Sequence, residues 1–233
     1  MYEKFGVPKI AFAGTTLRAI ALAGACAVTL VASLAPAQTN APAKPKPELA
    51  TLNATAGEFQ IRYPKNLLVC THLDGENPDV WSREDCIAEI PVCDNSGHAG
   101  DVLACLAYPA GAFKKSELQA AAFAVSRIGN LHTAKECLAK WARSNTSDVH
   151  SERIAGMEMQ AARAEQTESS HVSEQNIYRV FHAGSCYELD VNLTTAMDSA
   201  FAAEDIPRKL TAAEREEIKR SLREALEGFR FLK

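Results

Sequence analysis

The sequence predicts an α+β fold, an antiparallel sheet flanked by helices and braced by disulfides. Three observations carry that expectation. Several short segments alternate apolar and polar residues with a period of two; three Ser/Thr-x-x-Glu/Gln patterns each precede a helical run; and six cysteines follow an export-type leader in the 233-residue chain.

The leader comes first. Residues 1–37 carry Lys4, Lys9 and Arg18 against the single acid Glu3, followed by the uncharged run "AIALAGACAVTLVASLA". That run ends in Ala35-Pro36-Ala37, the small-x-small pattern that a signal peptidase cuts, which places cleavage before Gln38. An uncleaved N-terminal anchor and a lipidated Cys26 are the alternatives to cleavage. Residues 38–50, "QTNAPAKPKPELA", hold three of the ten prolines and almost no bulky side chain, so they read as a flexible linker. A single domain is expected over residues 51–233, long enough to bury roughly 70% of its unfolded surface. Removing the leader's three basic residues and one acid from the totals of 25 and 29 leaves 22 against 28, a net charge of −6. That balance, with no basic run, argues against nucleic acid as a partner. The expected location is extracytoplasmic, with no membrane span after cleavage.

Within the domain, "GEFQIRYP" sets Phe59, Ile61 and Tyr63 against Glu58, Gln60 and Arg62, a half-buried strand stopped by Pro64. The runs "CIAEIPVC" and "VLACLAYP" are strand-length, separated by a turn cluster at Asn95, Gly97 and Gly100. Ser116 with Gln119 predicts a helix over "ELQAAAFAVSRI" ending near Gly129. Thr133 with Glu136 predicts a second over "AKECLAKW", and Thr211 with Glu214 a third, whose Ile218, Leu222, Leu226 and Phe229 form one apolar stripe. Gly228 is its expected C-cap. Between the second and third helices, "GMEMQAARAEQTE", "NIYRVFHAG" and "CYELDVNLT" read as a three-strand meander. In its last strand Tyr187, Leu189, Val191 and Leu193 share one face, while Cys186, Glu188, Asp190 and Asn192 share the other.

Cys70, Cys86, Cys93, Cys105, Cys137 and Cys186 form an even set in an exported chain, which reads as three disulfides. Six cysteines permit 15 pairings. Spacing favours Cys93 with Cys105 across a turn and Cys70 with Cys86 around a polar loop, leaving Cys137 to reach Cys186. The sequence alone does not choose among them.

Taken in order, "FQIRYP", the "IAGMEMQ" entry, "YRVF" followed by "YEL", and the final "GFRF" resemble the PsbP-like superfamily. That family is an α/β sandwich shared by an extrinsic photosystem subunit, a Ran-binding nuclear import factor and many exported bacterial proteins. The resemblance implies a binding or accessory role toward an unidentified protein or envelope component, since its members mostly bind other proteins.

No catalytic residues, cofactor or metal ligands are assigned from the sequence. It contains no G-x-S-x-G, P-loop, dinucleotide or H-E-x-x-H motif. His182 and Cys186 flank one tight turn with Glu188 beside them, a pairing that activates thiols elsewhere; the acidic, oxidising setting argues for a disulfide instead. Glu188 and Asp190 read as solvated or paired with a cross-strand cation such as Arg179. Trp81 and Trp141 read as packing residues. A thiol- or metal-dependent enzyme and a periplasmic module for a small ligand are the alternative functions.

Overall fold

A computed structural model describes residues 47–54, 58–70, 93, 100–108, 111–139, 146–168 and 170–232. The leader, Cys86, Trp81, Trp141, His72 and His98 lie outside the described residues, as does the run "CIAEIPVC" apart from Cys93. Residues Pro45–Lys233 form one compact unit.

Ten strands, two α-helices and one 3-10 turn (Asp198–Ala200) account for the regular structure among the described residues. In chain order they are β1 (Leu49–Asn53), β2 (Phe59–Pro64), β3 (Leu68–Val69), β4 (Asp101–Ala107), β5 (Leu118–Ile128), α1 (Ala134–Ala139), β6 (Thr146–Ile154), β7 (Met157–Thr167), β8 (His171–His182), β9 (Ser185–Ala196), α2 (Ala212–Glu227) and β10 (Phe229–Phe231). Seven strands make one antiparallel sheet in the order β3-β4-β5-β9-β8-β7-β6, and three make a small sheet ordered β1-β2-β10. The protein is therefore mostly antiparallel sheet. Helix α2 packs against β2, β5 and β9, while the six-residue α1 meets β8 and β9. Among the described residues no helix is long and apolar enough to cross a membrane.

The meander follows the sequence closely. Ala183 and Gly184, with φ of 46° and 81°, form a two-residue turn in which both central residues are left-handed, the turn whose twist matches a hairpin. Ala155 and Gly156, at φ of 49° and 82°, repeat the device between β6 and β7. The first of the three expected helices is a strand instead. Ser116 does not cap: its hydroxyl donates to the Phe113 carbonyl at 2.7 Å and accepts from the Leu118 N–H, holding a local turn. The alanine-rich segment lies between β4 and β9, burying Ala121, Phe123 and Val125 on one face and Ala120, Ala122 and Ala124 on the other. Two-sided burial next to two strands overrides the helical propensity of alanine. β1 begins at Leu49, so the expected start of the domain at Thr51 falls inside a strand.

α2 forms as its signals require. The Thr211 side chain accepts from the Glu214 N–H, and the Glu214 carboxylate reaches back to the Thr211 N–H at 2.9 Å, a complete capping box. The Arg208 guanidinium, and then this N–H, hold the Glu214 carboxyl down at about 2. Ile218, Leu222, Ala225 and Leu226 are buried and join Phe59, Ile61, Phe123, Leu189 and Phe229 in the main core.

Gly228 ends the helix for a different reason from the one its sequence position suggests. Its φ is −83°, so no left-handed conformation demands glycine. A Cβ here would instead stand 1.9 Å from the Arg62 carbonyl oxygen, because the chain turns directly from α2 into β10 against β2. Gly228→Ala is expected to destabilise the fold by about 1–3 kcal/mol, the cost of forcing atoms into a packed site. Urea denaturation of the purified variant measures it, with a lowered midpoint at unchanged slope as the expected result.

Candidate binding groove

β9 carries two unlike faces, both buried. Tyr187, Leu189 and Leu193 join the main core under α2. Cys186, Glu188, Asp190, Asn192 and Thr194 share the opposite face and are also buried. The sequence reading of this alternation holds, and of the two expected states of these carboxylates, solvated or paired with a cross-strand cation such as Arg179, Glu188 takes the second. The Arg179 guanidinium lies opposite Glu188 in the β8–β9 register and donates to its Oε2 from Nε at 2.9 Å and from Nη2 at 2.7 Å. Both side chains are only 1% exposed. Asn192 accepts from the Thr194 hydroxyl at 2.8 Å, and Ser173 meets Thr194 at the same distance across the strand pair. A polar strip thus crosses β8 and β9 inside the protein.

The cysteines close the same face. Cys137 on α1 and Cys186 at the start of β9 are joined, their Cα atoms 5.5 Å apart and neither exposed. Cys93 and Cys105 are joined as well. Cys70 is disulfide-bonded too. The possible Cys-His pair is divided by the sheet. Cys186 points to the α1 side, whereas the His182 ring points to the other face and stacks on Phe231 at 3.8 Å between centroids. There Phe231 meets Tyr187 edge-on, and the Tyr187 hydroxyl donates to Glu58 at 2.9 Å, which also pairs with Arg127.

A groove of about 700 Å³ opens on the α2 side of the sheet, between the helix and β6. Ala161, Asn176 and Val191 are among the residues lining it where the strands extend beyond the helix. Arg223 spans it. Its Nη2 donates to Glu152 on β6 at 2.8 Å, its Nε to Glu227 at 2.8 Å, and its Nη1 to the Tyr178 hydroxyl at 3.2 Å. Partial burial opposes the Arg223 charge, but the bonds to Glu227 and Glu152 outweigh it and hold the guanidinium above its ordinary pKa. Burial, reinforced by the nearby Glu152 charge, raises the Tyr178 phenol, so the hydroxyl remains a neutral donor and acceptor.

At the far end Glu165 and Glu174 stand directly opposite each other on β7 and β8. Like charges in register repel. Arg215 at 2.6 Å and Lys219 at 3.4 Å, both from α2, neutralise Glu174. Arg163 lies between the two ends, largely exposed, its Nε 3.7 Å from Asp148. The groove therefore alternates acid and base around a short apolar and amide floor. It can hold a polar ligand or an extended polypeptide segment through paired charges.

None of Arg163, Tyr178, Arg215, Lys219 or Arg223 stands out in the sequence as a site. The available signal is the spacing of Arg215, Lys219 and Arg223, at i, i+4 and i+8 on α2, a cationic flank beside the apolar stripe. The acids that answer it lie on β6 and β8, and only the topology brings them there. Among the described residues no group of three His, Cys, Asp or Glu side chains converges as metal ligands. The chain matches no protein-family model, and no curated protein matches it.

The buried pair makes a sharp mutational prediction. Arg179→Met leaves the Glu188 charge in the interior without its guanidinium and should cost about 3–5 kcal/mol, whereas Arg179→Met with Glu188→Leu should recover most of that loss. Paired denaturation curves give the coupling, and equal losses in the single and double variants would show that the pair contributes nothing specific.

Proposed function

We propose that this protein is an exported, non-enzymatic binding or accessory module of the cell envelope, a PsbP-like sandwich on a Pro/Ala/Lys tether. Its ligand surface is the charged groove beside α2. The carrying observation is the fully buried Cys137–Cys186 bond, which pins α1 to the central strand. Closing the intervening stretch, a sequence separation of 49, restricts the unfolded chain by about 4 kcal/mol in the chain-entropy picture. Such bonds form and persist in oxidising compartments. They agree with the export pattern of residues 1–37.

A binding role is supported by how the reactive groups are used. The sulfur of Cys186 is bonded to Cys137 and the ring of His182 is stacked on Phe231, on opposite sides of one sheet. The groove, by contrast, presents acids and bases already matched in pairs, an arrangement that suits recognition of a polar partner. Its volume lies within the range of small-ligand sites, which favours a second reading as a module for a polar small molecule.

Expression of the full chain in a cell with an envelope tests the proposal. Fractionation, N-terminal mapping and thiol titration under denaturing, non-reducing conditions are the readouts. The expected result is a chain beginning at Gln38, found outside the cytoplasm, with essentially no free thiol. A chain retaining its leader inside the cytoplasm, with most of its thiols free, would overturn it.

A further inference from the structure

One cation of the groove is matched less tightly than the others. Arg223 donates to Glu152 and Glu227 at 2.8 Å, and Lys219 pairs with Glu174 at 3.4 Å. Arg163 on β7 is 70% exposed, and its ion pair runs from Nε to Asp148 at 3.7 Å, beyond hydrogen-bonding distance. Both terminal amino groups of its guanidinium are without a protein acceptor among the described residues.

Two further donors stand beside it. Asn176 lies directly opposite Arg163 in the β7–β8 register and lines the groove. Its side-chain amide enters no hydrogen bond among the described residues. Tyr178, two residues along β8 on the same face, accepts from Arg223 Nη1 at 3.2 Å, so its own hydroxyl proton is left to donate. Burial keeps that proton in place, and the Arg163 charge is among the lesser influences on the phenol, which sets the guanidinium close by. Opposed residues in such a ladder have Cβ atoms about 5 Å apart and diagonal neighbours about 7 Å, so the three donors reach one point. Ala161, opposite Tyr178, and Val191, opposite Asn176, give this patch a floor of small apolar side chains.

The surroundings limit the charge that such a point accepts. Asp148 lies beside Arg163, and the opposed Glu165 and Glu174 stand two residues further along the strands, about 7 Å away by strand rise. A dianion such as phosphate would meet these acids with one guanidinium to offset them. A carboxylate brings a single charge and two coplanar oxygens, the shape that a guanidinium fork binds in bidentate fashion.

We infer, on the reading of the groove as the ligand surface, that its centre is a carboxylate subsite. Arg163 holds both oxygens of a ligand carboxylate, Asn176 and Tyr178 donate to them, and the adjoining aliphatic carbon rests on Ala161 and Val191. The ligand is thus held by an acid end, either a small organic acid or the C-terminus of a polypeptide.

Amide NMR titration of the oxidised, folded full chain tests this with N-acetyl-trialanine, the same peptide ending in an amide, acetate and inorganic phosphate. The free-acid peptide should shift, saturably, the amides of β7 and β8 around Arg163 and Asn176. Capping the peptide as its amide should weaken binding about tenfold or more, the loss expected for a charge-assisted contact. Arg163→Gln, at an exposed position that the fold does not depend on, should do the same. Tyr178→Phe should weaken binding by a smaller factor, and phosphate should bind less tightly than acetate. Acetate binding as tightly as the peptide marks a small acid as the ligand; tighter binding of the peptide marks a chain terminus. Equal binding of acid and amide, unchanged binding in Arg163→Gln, or tighter binding of phosphate would overturn the subsite while leaving the groove as the ligand surface. Absence of a saturable shift with either carboxylate would overturn the subsite as well. Shifts confined to residues outside the groove would overturn the groove reading and the subsite together.

Discussion

Strand β9 is covered on both faces, and the rest of the structure answers to that constraint. A central strand between two neighbours has its backbone groups satisfied by the ladders, so its side chains decide what lies above and below. Here the two faces make opposite demands. Tyr187, Leu189 and Leu193 require an apolar partner, which α2 and the small sheet supply. Glu188, Asp190, Asn192 and Thr194 require polar partners inside the protein, and Arg179 and Ser173 are among those that supply them. Burying a carboxylate is tolerable only with such compensation.

From this arrangement follows the unequal use of the two helices. α2 crosses the apolar face and fills only part of it, because β6, β7 and β8 extend past the helix. The uncovered part becomes the groove, and the helix meets it with Lys219 and Arg223 rather than with leucines, while Arg215 pairs with Glu174 on its wall. On the polar face α1 is too short to dock by area alone, burying only Cys137. Its position is fixed covalently. The disulfide therefore carries a share of cohesion that apolar contact supplies elsewhere.

Much of this architecture was legible in the residues, and the remainder fails for identifiable reasons. The capping box at Thr211 and Glu214, the alternation of β9 and the turn at Ala183-Gly184 are local devices, and each forms where the sequence places it. The segment Leu118–Ile128 is not local in this sense. Its alanines favour a helix in isolation, and only the flanking strands β4 and β9 make it the middle of a sheet. β6 was invisible because "TSDVHSERI" is an edge strand with little apolar content, the composition that protects an edge from stray pairing. The groove was hidden for a related reason: its acids and bases come from strands far apart in sequence. The cysteine framework was the opposite case, since count and spacing pointed toward Cys93–Cys105 and Cys137–Cys186.

Amide hydrogen exchange on the oxidised, folded protein tests the two-sided burial of the central strands most directly. The amides of β5 and β9 should be among the slowest in the molecule and open with a common free energy, while those of the edge strand β6 exchange much faster. Exchange through residues 118–128 as rapid as at β6, or with the graded fraying of a surface helix, would contradict the central placement of β5 and the fold built around it.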